Sequence, residues 1–232
     1  MRDLSHKSML SPLVIALTAM TRIAILGGGS VGSTLAQNLL NNGKDVVIAA
    51  RDAEKTQAKL PALVVQPMAE ALASSQVIVL AVPGQHDDKG LQELAASLGD
   101  VRDKIIIDAT NPLSAFPGGL QVRWEQGTSG AEVLAQNLPN SKVYKAFNTV
   151  GVEHMRASLG KDMFFAGDPD EVSLTTVEEV IRGVGFKPFY VGPTRYARNL
   201  EAMGELWIHM AIPPLGARNT TRNFWFSIAG DP

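Results

Sequence analysis

Gly27, Gly28, Gly29, Ser30, Val31 and Gly32 follow an apolar, β-branched run and precede a helical pattern. In a G-x-G-x-x-G turn so placed, Gly27 permits a tight bend, Gly29 lets backbone approach a pyrophosphate, and Gly32 allows helix to pack closely on strand. The helix start adds free N–H donors and the positive end of its dipole. The chemistry is dinucleotide binding, with a purely structural glycine turn as the alternative. Ala50 and Arg51 stand at the end of the second apolar run, where an acidic residue would accept from ribose hydroxyls and an Arg would pair with a 2′-phosphate. Arg51 suits phosphate, and Lys55, one helical turn on, adds a second charge, which points to NADP(H). Asp52 is the rival ribose acceptor if the strand runs one residue longer, and a solvated helix start is the plain alternative for Arg51 and Lys55.

Other apolar runs end at Val82-Pro83, at Asp108-Ala109-Thr110-Asn111-Pro112 and at Phe147-Asn148-Thr149. Open α/β sheets bind ligands at such carboxyl ends. Val82 and Pro83 would pack on a ribose. Asn111 and Asn148 carry donors and acceptors that suit a carboxamide or a heterocycle edge, and turn formation is the other use of each. His86 would hang over the site or simply lie in a surface loop.

What is missing narrows the reaction. The chain has no cysteine, which excludes disulfides, thiolate metal sites and a cysteine nucleophile. Its four histidines, His6, His86, His154 and His209, form no i, i+4 pair, and no metal is expected. No Tyr-x-x-x-Lys, G-x-S-x-G or P-loop is present. Hydride transfer remains, with the cofactor doing the chemistry and the protein orienting it, so no catalytic acid or base is expected.

These residues need a scaffold that gathers strand ends. Residues 22–26, 46–50, 77–82 and 105–108 read as short strands covered on both faces, alternating with helices at 33–42 and 89–98. A helix at 129–138 and a strand at 143–147 follow. Such alternation predicts an α/β, Rossmann-type doubly wound parallel sheet. After Gly151, strands at 164–166 and 188–191 flank a helix that Asp168 would cap with Pro169 at its first position. A further helix at 197–212 carries Leu200, Met203, Trp207 and Met210 on one face before Pro213-Pro214. The expected organisation is a leader or upstream extension at 1–19, a dinucleotide-binding domain at 20–150, and a small C-terminal α/β cap with an extended tail at 151–232.

The chain is 45% hydrophobic and 19% charged, with 21 basic against 23 acidic residues and a net charge of −2. That balance leaves no footprint for nucleic acid or an anionic membrane surface, and a small molecule is the expected partner. The apolar stretch between Met9 and Met20 is too short to span a bilayer. A cytoplasmic location is expected, with organelle targeting by the leader as the other outcome.

Several blocks taken together, RIAILGGGSVGSTLAQNL, AARDAEK, VIVLAVP with His86, DATNPL, KAFNTVG, VGP with Arg198, and LEAMGEL, resemble the NADPH-dependent reductases of the 8-hydroxy-5-deazaflavin coenzyme. The resemblance runs from about Met20 to Ile212. It implies hydride exchange between NADPH and a deazaflavin ring stacked in a groove beside a small C-terminal domain, usually in a homodimer. It places Gly28 to Val31, Ala50, Arg51, Lys55, Val82, Pro83 and His86 on NADP, and Ala109, Asn111, Ala146, Asn148, Met203 and Gly204 around the nicotinamide and its partner ring. It also reaches the cytosolic domain of six-transmembrane ferric reductases, which passes electrons to a flavin, so FMN or FAD is a second candidate acceptor. Ala50 stands where a Ser is common, and the tail with Phe224, Trp225 and Phe226 extends past the usual end. Trp207 would flank or fill the second ring's pocket, or anchor the core.

The leading reading is an NADP(H)-dependent oxidoreductase that holds two rings roughly 3–3.5 Å apart. A reductase of a small imine or carbonyl, and a non-catalytic NADPH-binding sensor that docks through its aromatic tail, are the alternatives.

Overall fold

Apolar runs without alternation become the central strands because helices cover both of their faces. The computed structural model describes residues 21–116, 119–122, 127–212 and 221–230; the leader expected over residues 1–19 lies outside them. Along the chain run β1 (Ile23–Leu26), α1 (Ser30–Asn41), β2 (Val46–Ala50), α2 (Ala53–Lys59), β3 (Val65–Pro67), α3 (Met68–Ala73), β4 (Val77–Leu80), α4 (Asp88–Ser97) and β5 (Ile105–Asp108). A hairpin of β6 (Leu113–Phe116) and β7 (Gly119–Val122) precedes α5 (Gly130–Asn137) and β8 (Lys142–Lys145). Then come α6 (Val152–Arg156), β9 (Asp162–Gly167), α7 (Glu171–Val184), β10 (Lys187–Gly192) and α8 (Ala197–Ala211).

Eight strands form one sheet in the order β10-β9-β8-β5-β4-β1-β2-β3. All neighbours are parallel except β8 and β9, which pair antiparallel through Tyr144 with Gly167 and Lys145 with Ala166. The strands of the expected cap therefore extend the main sheet. Strand order reverses between β1 and β4, which places a crevice at their carboxyl ends.

Successive side chains of each strand enter opposite layers. Ile23 and Ile25 join Leu35 and Leu39 of α1 and Val177, Val180 and Ile181 of α7. Ala24 and Leu26 join Leu72 of α3, Leu91 of α4 and Leu134 of α5. Two buried layers thus fix the helix starts against the strand ends.

One expected cap is corrected. Asp170, not Asp168, caps α7: its carboxylate accepts from the Ser173 N–H at 2.8 Å, and Ser173 Oγ accepts from the Asp170 N–H at 3.1 Å. That reciprocal box satisfies two donors at once. Asp168 is engaged elsewhere, accepting from the Thr194 N–H at 3.3 Å and the Thr194 hydroxyl at 2.7 Å.

Candidate functional site

The turn after β1 is held by backbone crowding. Gly27 has φ +118°, and a Cβ there would lie 2.5 Å from the Ala81 carbonyl oxygen, while one on Gly32 would lie 1.9 Å from the Gly27 oxygen. A Cβ on Gly28 would meet Thr56 Cγ2 at 2.8 Å. Backbone therefore requires Gly27 and Gly32, whereas at Gly28 it is the Thr56 side chain that would have to give way. Gly29 differs: it caps α1 with ordinary φ −74°, and a Cβ there would meet nothing within 4 Å. The first turn of α1 has neither a side-chain cap nor an acidic residue among the described residues, which leaves its N–H groups without a side-chain acceptor and the positive dipole end undiminished. Ser30 beside it is exposed, and Val31 packs on the core.

Beyond the turn, a groove of about 380 Å³ is bounded by Gly27 to Gly29, Ala50 and Arg51, and Val82 and Pro83. A separate depression of about 430 Å³, by Asp103, Lys142 and Asp170, lies at the amino ends of β5 and β8, away from these residues.

Asp52, which also lines this groove, has a structural role of its own. β2 ends at Ala50, and Asp52 is the N-cap of α2, its carboxylate accepting from the Lys55 N–H at 3.0 Å. Arg51 and Lys55 are exposed, and no carboxylate among the described residues pairs with either side chain. His86 is exposed in the loop before α4.

Farther along, a Cβ on Gly84 would lie 2.0 Å from the Asn111 carbonyl oxygen, so the β4 and β5 loops touch through backbone. Asn148 donates its side-chain N–H to the Leu200 carbonyl at 2.7 Å and to Asn111 Oδ1 at 3.3 Å, and Asn111 Nδ2 donates to the Asn148 carbonyl at 3.4 Å. Gly204 of α8 completes the contact: a Cβ on it would sit 2.5 Å from Asn111 Oδ1. Met203 beside it is half-buried, whereas Ala109 and Ala146 are taken into the core. Asn148 is 3% exposed, and its Oδ1 has no hydrogen-bond partner among the described residues.

Beneath this contact lies a charge cluster that the sequence reading missed. Lys145 Nζ is 2.8 Å from Asp108 Oδ2 and 3.3 Å from Glu201 Oε1, and it donates to the Thr110 carbonyl at 2.6 Å. Glu201 also accepts the first N–H groups of α5, from Gly130 at 3.1 Å and Ala131 at 3.3 Å. All three charged residues are fully buried. Burial works against the Lys145 ammonium, but Asp108 and Glu201 outweigh it and hold its pKa above the usual lysine value. Burial pushes the Glu201 carboxyl up, against the pull of Lys145. The signal was present in the sequence as a Lys inside VYKAF and an Asp closing IIID, both in strands otherwise apolar.

A family model described as NADP oxidoreductase coenzyme F420-dependent matches residues 22–112, from β1 through the β5 loop. Over most of both chains the protein is similar to the F420-dependent NADP reductase of Methanothermobacter thermautotrophicus, at 30% identity over 233 residues, 91% of this chain and 96% of that one. The chain belongs to the F420-dependent NADP reductase family. It is an NADP-dependent oxidoreductase of that family. It is also 31% identical over 186 residues to Metalloreductase STEAP3 of Rattus norvegicus, covering 78% of this chain but 36% of that protein, so it spans about a third of that relative's length. Among solved structures it is similar to a putative F420-dependent NADP reductase from Arthrobacter sp. FB24, with TM-score 0.74 and 26% identity over 90% of this chain and 100% of that one.

In this member of the F420-dependent NADP reductase family, Trp207 is 5% exposed and its ring is enclosed by the chain itself. Its indole N–H donates to the Phe224 carbonyl, its face stacks on the Phe224 ring, and a Cβ on Gly151 would lie 2.3 Å from its edge. The tail is moored further by Arg222 on Glu153, by the Arg222 carbonyl at 2.7 Å from His154 Nε2, and by the Ile228 N–H on Asp162 at 2.8 Å. Among the described residues, no helix is long and apolar enough to cross a membrane, and no cluster of three or more acidic or histidine side chains could hold a metal.

Proposed function

We propose that the protein transfers hydride between NADPH and a deazaflavin ring, with NADPH laid across the carboxyl ends of β1, β2, β4, β5 and β8. The observation that carries the cofactor reading is Gly29, the one glycine of its turn whose missing Cβ leaves open space, set between an uncapped helix start and the cations of Arg51 and Lys55, which have no carboxylate partner among the described residues. The deazaflavin half rests on similarity across nearly the full length of a protein named F420-dependent NADP reductase.

The residues present fit both ends of the cofactor. Arg51 and Lys55 would hold the 2′-phosphate, and the N–H groups from Gly28 to Val31 the pyrophosphate. Ala50, Val82 and Pro83 would pack on the adenosine side, with His86 over the groove. Buried Asn148 Oδ1, an acceptor without a donor, suits a carboxamide N–H. When bound, NADPH supplies the hydride and the deazaflavin accepts it. The chain's own part is orientation: Asn111, Asn148, Met203 and Gly204 bound the reacting end, and Ala109 and Ala146 back it. Trp207, held by the tail, would support α8 from behind.

The test is NADPH oxidation by the purified protein with deazaflavin, FMN and FAD offered in turn. Turnover with deazaflavin alone is the expected result. Turnover with FMN or FAD and none with deazaflavin overturns the acceptor assignment.

A further inference from the structure

Asp108, Lys145 and Glu201 come from β5, β8 and α8, and three residues further along each of those segments stand Asn111, Asn148 and Gly204. The first three meet in a buried charge cluster, and the second three meet in the Asn111–Asn148–Gly204 contact. The same spacing recurs on three segments that arrive from different parts of the chain. We infer that Asp108, Lys145 and Glu201 are positioning residues that set the mutual placement of Asn111, Asn148 and Gly204, and so the geometry of the nicotinamide end. The inference rests on the reading that the nicotinamide lies against Asn148.

The cluster is a poor source of stability. Taking three charges out of water carries a heavy desolvation penalty, and apolar replacements of buried ion pairs are often neutral or stabilising. Its bonds are directional instead. Lys145 reaches Asp108 and the Thr110 carbonyl, Asp108 Oδ1 accepts the Thr110 N–H at 2.9 Å, and Glu201 ties α8 to the start of α5. Between Lys145 and Asn148 the chain passes through Phe147 at φ +65°, a left-handed conformation for a bulky buried residue. Such strain persists only where the surroundings over-determine it. Lys145 on one side and Asn148 on the other do so here. A shift of the cluster would therefore reach the Asn148 amide directly.

The experiment compares equilibrium binding of NADP+ with that of 2′-phospho-ADP-ribose, the same molecule without nicotinamide, in the full-length protein and in Glu201→Gln, Lys145→Met and Asp108→Asn/Lys145→Met. Melting temperature, kcat and KM are measured alongside. The expected result is that 2′-phospho-ADP-ribose affinity stays within about twofold, the added affinity of NADP+ is lost, and kcat falls about 100-fold, as for a roughly 1 Å misplacement, with KM for the nucleotide rising by no more than that lost affinity. Equal weakening of both ligands in step with melting temperature overturns the inference, as does unchanged NADP+ preference. Should Lys145→Met fail to fold, Glu201→Gln decides alone, since it keeps side-chain volume and one acceptor. Equal affinities for the two ligands in the unaltered protein would instead sink the placement of the nicotinamide end, and this inference with it.

Discussion

Trp207 donates its indole N–H to the Phe224 carbonyl at 3.0 Å while its ring stacks on that of Phe224, with centroids 5.5 Å apart. The bulkiest residue of α8 is thus satisfied on its polar and its apolar side by the tail. Trp207→Phe keeps most of the ring and loses the donor, for which about 1 kcal/mol is expected. That corresponds to a melting temperature lower by roughly 2–4 °C for a chain of this size. KM for the electron acceptor should not move. A raised acceptor KM at unchanged melting temperature would put Trp207 in the ligand pocket.

Gly27 and Gly29 should respond oppositely to alanine. At Gly27 a left-handed φ and the Ala81 carbonyl oppose a Cβ, so Gly27→Ala should lower stability by at least about 1–3 kcal/mol. At Gly29 the backbone is ordinary and the space empty, so Gly29→Ala should change stability by less than about 0.5 kcal/mol. Its effect should fall on NADP+ affinity, weakened about tenfold or more, or roughly 1.4 kcal/mol. Denaturant unfolding and calorimetric titration of the two variants check this.

Arg51 and Asp52 separate nucleotide choice from helix capping. Arg51→Ala should raise KM for NADPH about 10–100-fold, the loss of charge-assisted bonds of roughly 1.5–3 kcal/mol, and leave KM for NADH nearly unchanged. Asp52→Ala should cost about 1 kcal/mol of stability through the lost α2 cap, with the NADPH preference intact. Steady-state kinetics with both nucleotides distinguish the two. An equal effect of Arg51→Ala on NADPH and NADH would remove Arg51 from the phosphate site.

Tyr144 sets an alkaline dependence. Burial pushes its phenol up to about 12 from the ordinary 10.0, although its hydrogen bond with Ser173 pulls the other way. The folded state holds this proton more tightly than the unfolded state does, so the contribution to stability is full below about pH 10 and is lost as pH rises through about 12. Tyr144→Phe should therefore flatten the decline in unfolding free energy across that window, as read by urea titrations at stepped pH. Parallel curves for the two proteins would show that Tyr144 does not titrate there.

Most of the fold was legible because its strands are covered on both faces and its helices end at glycines. β2 was expected over 46–50, where it lies, and α8 and α5 were misplaced by a residue or so at their ends. Short elements with little periodicity escaped notice: β3, α3, α6 and the β6–β7 hairpin span three to six residues each, and tertiary pairing defines them more than local pattern does. At the site, the glycine turn, Arg51 and both asparagines could be read as strand-end residues. That Asn148 spends its amide N–H on Leu200 and Asn111 could not, because the contact joins segments distant in sequence. The Lys145 cluster was hidden for the same reason. A lysine in an apolar strand announces a partner, but sequence alone does not say which of 23 acidic residues it meets.

The antiparallel β8–β9 ladder has a mechanical consequence. Because it joins the strands before and after Gly151 in one sheet, and α1 reaches across by bonding Asn38 to the Met155 and Val184 carbonyls, the two halves share a single core. A hinge between them would have to break ladder bonds and expose that core. With NADPH bound as proposed, ligand exchange that leaves this core intact is confined to loops and side chains at the strand ends.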